Sequence, residues 1–172
     1  MLLFLFLGGI NVAHSRIFQI TKEPVLSEDL ITENDFYEHW FLQSVADYVS
    51  DEIDRPADIE WLRERLINAA DFDTDDSFSI LPNGKEAYFS KAYEAFVYFR
   101  QKTMELGLSE FSSGEGFTTL VYTMGQTCNE EFGLYVVQGD SDDFEVVTLD
   151  EFIRFAEIGR RYYIGAILDY HY

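Results

Sequence analysis

Asp71, Asp73 and Asp75 stand at alternate positions, the spacing that opens a calcium-binding loop. Such a loop needs glycine at its sixth position, for a sharp turn, and glutamate at its twelfth, as a bidentate ligand. Here those positions hold Asp76 and Pro82. The cluster therefore reads as a solvated turn between a helix and a strand, and no metal site is expected. Cys128 is the single cysteine, and His14, His39 and His171 are widely separated. That set supports neither a disulfide framework nor a zinc centre. A reactive thiolate wants a base or positive charge nearby, but Cys128 is followed by Asn129 and Glu130. There is no phosphate-binding glycine loop, nucleophile elbow or zinc-peptidase helix, and Gly114-Glu115-Gly116 is too short and acidic to cradle a phosphate. With 32 carboxylates present, a glycosidase-like pair carries no information. No cofactor is expected, and enzymatic carboxylate chemistry is the weakest of three functional readings.

The 172 residues suit one domain. Apolar residues make up 47% and aromatics 17%, which argues for a packed core despite the charge. The formal net charge is −20, with 12 basic side chains against 32 acidic. Direct contact with nucleic-acid phosphates or an anionic membrane needs the opposite sign, so neither is expected. A partner with a positive surface is.

The charge is concentrated. Residues 23–76 hold 17 acidic and 3 basic side chains, and residues 130–157 hold 9 and 1. Within these blocks acid adjoins aromatic: Asp35-Phe36-Tyr37-Glu38-His39-Trp40, Asp71-Phe72-Asp73 and Asp142-Asp143-Phe144-Glu145. Carboxylates can stand where phosphates sit on a duplex. A net charge of −20 corresponds to the phosphate charge of about ten base pairs. Aromatic rings add area and cation–π contacts with arginine.

On the stretches Asp29–Asp58, Asp71–Asp76 and Asp140–Glu151, the sequence resembles the small acidic DNA-mimic inhibitors of phages and mobile elements, which block restriction enzymes or CRISPR effectors. The resemblance is one of class and implies a non-enzymatic inhibitor that occupies the DNA-binding groove of a basic nucleic-acid-handling protein. The candidate surface comprises Glu28, Asp29, Glu33, Asp35, Glu38, Asp47, Asp51, Glu52, Asp54, Asp58, Asp71, Asp73, Asp75, Asp76, Asp140, Asp142 and Asp143. The alternative is a general interaction or adaptor domain that binds through an exposed apolar patch.

These residues must be positioned by a modest set of elements. Residues 1–15 form an apolar segment that reads as a first strand, a signal-like stretch or the product of an upstream start. No basic residue precedes its apolar run, and with one cysteine in the chain the expectation is a cytoplasmic protein. Residues 16–172 read as a single α+β domain, a mixed or antiparallel sheet with helices mainly on one face. Arg16–Thr21 alternates as a strand, and Thr32 caps a helix running to about Val49 whose apolar face includes Phe36, Trp40 and Val45. Pro56 opens a second helix over Ala57–Ala70. Ser77–Leu81 is a short strand, and Lys85–Leu106 is the central core helix, closed by Gly107. Thr118–Met124 and Phe132–Val137 read as a hairpin, Thr148–Glu151 as a capping box with Gly159 ending its helix, and Arg161–Tyr170 as the closing strand.

Overall fold

The computed structural model describes residues 14–128, 133–141 and 143–172. Residues 1–13, 129–132 and Asp142 lie outside them, and with them Phe132, the start of the expected Phe132–Val137 run. His14 and Ser15 belong to the first strand, so the expected boundary at residue 15 is not an element boundary.

The strands are β1 (His14–Thr21), β2 (Tyr48–Ser50), β3 (Ala70–Phe72), β4 (Ser77–Ile80), β5 (Tyr135–Gly139), β6 (Phe144–Thr148) and β7 (Arg161–His171). They form one sheet in the order β3-β4-β7-β1-β5-β6, and β2 pairs with the far end of β7. The β1–β5 pair is parallel and the others are antiparallel, which makes the sheet mixed. The helices are α1 (Trp40–Ser44), α2 (Arg55–Arg65), α3 (Gly84–Glu105), α4 (Leu108–Ser113), α5 (Glu115–Cys128) and α6 (Leu149–Phe155). The α+β expectation is met.

Side chains alternate across a strand, so β1, β5, β6 and β7 each feed two cores. Phe18, Ile20, Val136, Val147, Ile164 and Ile167 face α2 and α6, where they meet Leu62, Leu66, Phe152 and Ile153. Ile17, Tyr135, Val137, Val146, Leu168 and Tyr170 face the other way, onto Ile31, Phe36, Phe41 and Ala46. The second core is thus roofed by the segment between β1 and β2.

Five sequence expectations are corrected. The helix expected over residues 32–49 is instead a 3-10 turn, Glu33–Phe36, then the five-residue α1, then β2. The Asp35 carboxylate accepts from both the backbone N–H and the hydroxyl of Thr32, which closes the turn early. Residues 48–50 are then drawn into the sheet by β7. The Asp71–Asp76 stretch is a β3–β4 hairpin, not a helix-to-strand turn. The helix α3 is not central: of its 22 residues only Gly84 and Phe99 are buried. Its first turns reach the core through Tyr88 and Phe89, and it packs chiefly on α5. Gly107, with φ −82°, caps the start of α4 rather than adopting a left-handed helix stop. Finally, the Thr118–Met124 run lies within α5, so β5 pairs with β6 instead. Beta-branched residues prefer strands only weakly, and packing on α3 and α4 decides the outcome.

The Thr148 cap holds, its hydroxyl accepting from Glu151 N–H at 3.1 Å, while α6 stops at Phe155, short of Gly159.

Candidate partner-binding surface

The register brings distant acids together. Thr21 lies opposite Tyr163, which lies opposite Ser77, and Gln19 lies opposite Val137. The end of β1, the β3–β4 turn and the β5–β6 turn therefore lie at the same end of the strands, one turn towards each side of the sheet. Asp73, Asp75, Asp76, Asp140 and Asp143 sit there, and the roofing segment leaves β1 there at Lys22, with Asp29 held close by Gln19.

A bulge anchors this end. Between Phe18 and Ile20 the β1–β7 register slips by one residue, leaving Gly165 and Ala166 opposite Gln19. The Gln19 amide takes up the slack. Its Nε2 donates to Asp29 O at 2.9 Å and Gly139 O at 3.1 Å, and its Oε1 accepts from Ala166 N at 3.0 Å and Ile31 N at 3.3 Å. A β-carbon on Gly165 would stand 2.5 Å from Oε1, so the bulge requires glycine there. On the other edge of β7, Arg55 donates to Gly165 O at 2.6 Å and Ile164 O at 2.9 Å. One buried amide thus joins the roof, β7 and the β5–β6 turn. Gly139, at φ +122°, shapes that turn, where a β-carbon would lie 2.2 Å from Asp143 O.

The structure sorts the predicted acids into three groups. Asp58 leaves the surface: it is buried and accepts from Arg16 Nε at 2.8 Å, because α2 packs it beneath the first strand. Asp73, Asp75 and Asp76 remain at the surface but face arginines of their own chain. Arg161 meets Asp73 at 2.5 Å and Asp75 at 3.7 Å, and Arg55 meets Asp76 at 3.0 Å. The Ser77 hydroxyl, and behind it Arg161, hold the Asp75 carboxyl below the usual range. Asp71 is exposed on β3.

The third group lies on the roof. Residues 23–54 carry ten carboxylates and no lysine or arginine. Several also have local duties. Asp54 caps α2 through Ala57 N–H, Asp51 and Glu33 each accept from the other's backbone N–H, and Asp47 meets His171 at 3.1 Å. Glu23 reaches Arg160 at 3.3 Å. Glu28, Glu38 and Glu52 are exposed, with no ion pair among the described residues. Asp140 and Asp143 extend the layer at the β5–β6 turn, where Asp140 accepts from Asp143 N–H at 3.2 Å.

Rings stand among these acids. Tyr37 is 83% exposed, Tyr48 53% and Trp40 47%. The expected helix would have turned Trp40 inward; with the helix broken, Phe36 and Phe41 fill the core, and Trp40 and Tyr48 face solvent. The signal that could have found the layer was the run from Lys22 to Arg55 without a basic residue.

His39 fastens the roof to the sheet. Its ring stacks on Phe144 with centroids 4.9 Å apart, and its Nδ1 accepts from Phe41 N–H at 3.3 Å. Burial lowers its pKa below the usual histidine value. The unfolded chain therefore binds more protons here, and stability present at neutral pH is lost as pH falls through about 6.5. We expect unfolding titrations from pH 7.5 to 5.5 to show this decline, and His39→Phe to reduce its slope. An unchanged slope would exclude His39 as a source.

Among the described residues no helix is long and apolar enough to cross a membrane, and no group of three or more potential ligands is placed to hold a metal. The class defined by fold and surface is a mixed-sheet α+β protein with an acidic, ring-studded roof. No protein-family model, curated protein or solved structure matches the chain.

Proposed function

We propose that this chain is a non-enzymatic, cytoplasmic inhibitor that binds a basic nucleic-acid-handling protein and occludes its DNA-binding groove with the roof over residues 23–54 and the adjoining β5–β6 turn. The observation that carries the reading is that residues 23–54 hold ten carboxylates and no lysine or arginine, with Arg160 meeting one of them, Glu23, and that exposed Tyr37, Trp40 and Tyr48 fall within the same stretch. Carboxylates would engage lysine and arginine heads in place of phosphate. Each ring adds a cation–π contact of about 0.5–1 kcal/mol at an exposed site. The acids of the β3–β4 turn contribute less, since their own arginines already face them.

The test is displacement of a labelled duplex from a restriction endonuclease or a CRISPR effector, the targets the resemblance implies, at about 50 and 300 mM salt. Displacement should be strong at low salt and fall steeply as screening shortens. The variant Glu38→Lys/Asp47→Lys should lose tenfold or more, and Tyr37→Ala/Trp40→Ala several-fold. Affinity that stays flat across salt sinks the proposal.

The second reading, an adaptor that binds through apolar surface, is favoured by Tyr93, Phe96, Phe111, Val121 and Tyr122, all exposed on α3, α4 and α5. Binding that survives charge reversal on the roof but fails on Phe96→Ala would select it.

A further inference from the structure

A cavity of about 400 Å³ opens where the roof meets the β5–β6 turn. Pro24 and Val25 supply accessible apolar wall, over Ile20 and Tyr162, which are almost fully buried. Asp29, Asp140 and Glu23 also line it, with Glu23 held by Arg160 at 3.3 Å. Lys22 also lines it, but its ammonium is held by Glu157 at 2.7 Å. That contact, with Arg160 behind it, holds the Glu157 carboxyl below its ordinary range. Asp29 and Gly139 are locked in place, since Gln19 binds Asp29 O and Gly139 O at once.

The chemistry selects the occupant. The Asp29 and Asp140 carboxylates disfavour an anion, and an apolar lining is wasted on a bare hydrated cation. A long apolar stem ending in a cation satisfies both. Guanidinium is more weakly hydrated than ammonium and makes several charge-assisted bonds at once, so it suits a half-desolvated cleft better. We propose that this cavity is the anchor socket of the binding surface and takes one arginine side chain of the partner, its methylenes against Pro24 and Val25 and its guanidinium on the Asp29 and Asp140 carboxylates. This rests on the reading of the roof as the partner-binding face. A socket held open before binding limits the ordering cost of docking, which is where anchor residues gain their weight.

The probe is N-acetyl-arginine methylamide, titrated into the full chain and followed by amide NMR, with the citrulline analogue as a neutral counterpart of the same shape. Shifts should centre on Val25, Gly139 and Asp140 with a dissociation constant near 1 mM, about −4 kcal/mol. Citrulline should bind at least tenfold more weakly. Asp140→Asn should weaken the arginine probe several-fold. Gln138→Lys places an ammonium on the lining at an exposed strand position and should abolish binding without removing a core contact. Shifts centred elsewhere, equal affinity for citrulline, or no effect of Gln138→Lys overturns the socket. The two readings separate cleanly. If octa-arginine binding is untouched by Gln138→Lys, the surface stands and the socket falls. If the monomeric probe fills the cavity while octa-arginine fails to bind, the socket stands and the surface falls.

Discussion

Gln19→Leu is expected to cost about 3 kcal/mol or more, since each buried polar group left without a partner costs roughly 1–3 kcal/mol. The substitution is close in size and apolar, so packing alone predicts little change. The hydrogen bonds predict otherwise. Gln19 is 1% exposed and saturates two donors and two acceptors. Leucine would strand Ala166 N–H inside a bulge, where the β1 backbone cannot reach it because the register has slipped. It would also release Asp29 O and Gly139 O, the attachments that hold the roof and the β5–β6 turn together. Denaturant unfolding should show the loss in midpoint, and hydrogen exchange should show Ile31 and Ala166 exchanging faster than the β1–β5 pairs. Gln19→Glu keeps the acceptors but removes both donors and buries a charge, so it should be no milder. Gly165→Ala should reproduce much of the effect, because its β-carbon collides with the same amide. Stability within 1 kcal/mol of the parent for Gln19→Leu would show that the amide merely fills space.

Some of this was legible in the sequence. Alternation marked β1, a β-rich run marked β7, Pro56 marked the start of α2, and Thr148 with Glu151 marked α6, because each is a local pattern with a local cause. The roof was not legible as structure. Its apolar spacing fits a helix, and only the Asp35–Thr32 closure and the demand of β7 for a partner at Tyr48–Ser50 break it. The run in α5 failed for a related reason: its strand propensity is local, and its packing on α3 is not. The acids show the same division. Their number and grouping were evident, but which of them stay available depends on arginines far away in the chain, Arg16 for Asp58 and Arg161 for Asp73. Gln19 gave no signal at all, since one glutamine in an alternating strand looks like an outward residue.

The same long-range logic makes Arg16→Met the second large effect. Arg16 is the bridge between two buried carboxylates: its Nε donates to Asp58 and its Nη1 to Asp169. His14 Nδ1 adds a contact to the other oxygen of Asp169 at 2.7 Å. Two acids share one guanidinium, and Asp58 Oδ2 is a buried side-chain oxygen left without a partner among the described residues. Methionine preserves the stem that packs on the strand and removes the charge. Breaking a buried pair from one side costs about 3–5 kcal/mol, because it leaves charge in a place water cannot reach. The double variant Arg16→Met/Asp58→Leu should recover a large part of that loss. Replacing a buried pair by apolar groups is often neutral, and Asp58 sits on α2 beside Ile59 and Leu62, where an apolar side chain has company. Chemical unfolding of the two singles and the double gives the coupling directly. A double variant as unstable as the sum of its singles would mean that Arg16 and Asp58 act independently, and that Asp169 alone sets the demand for Arg16.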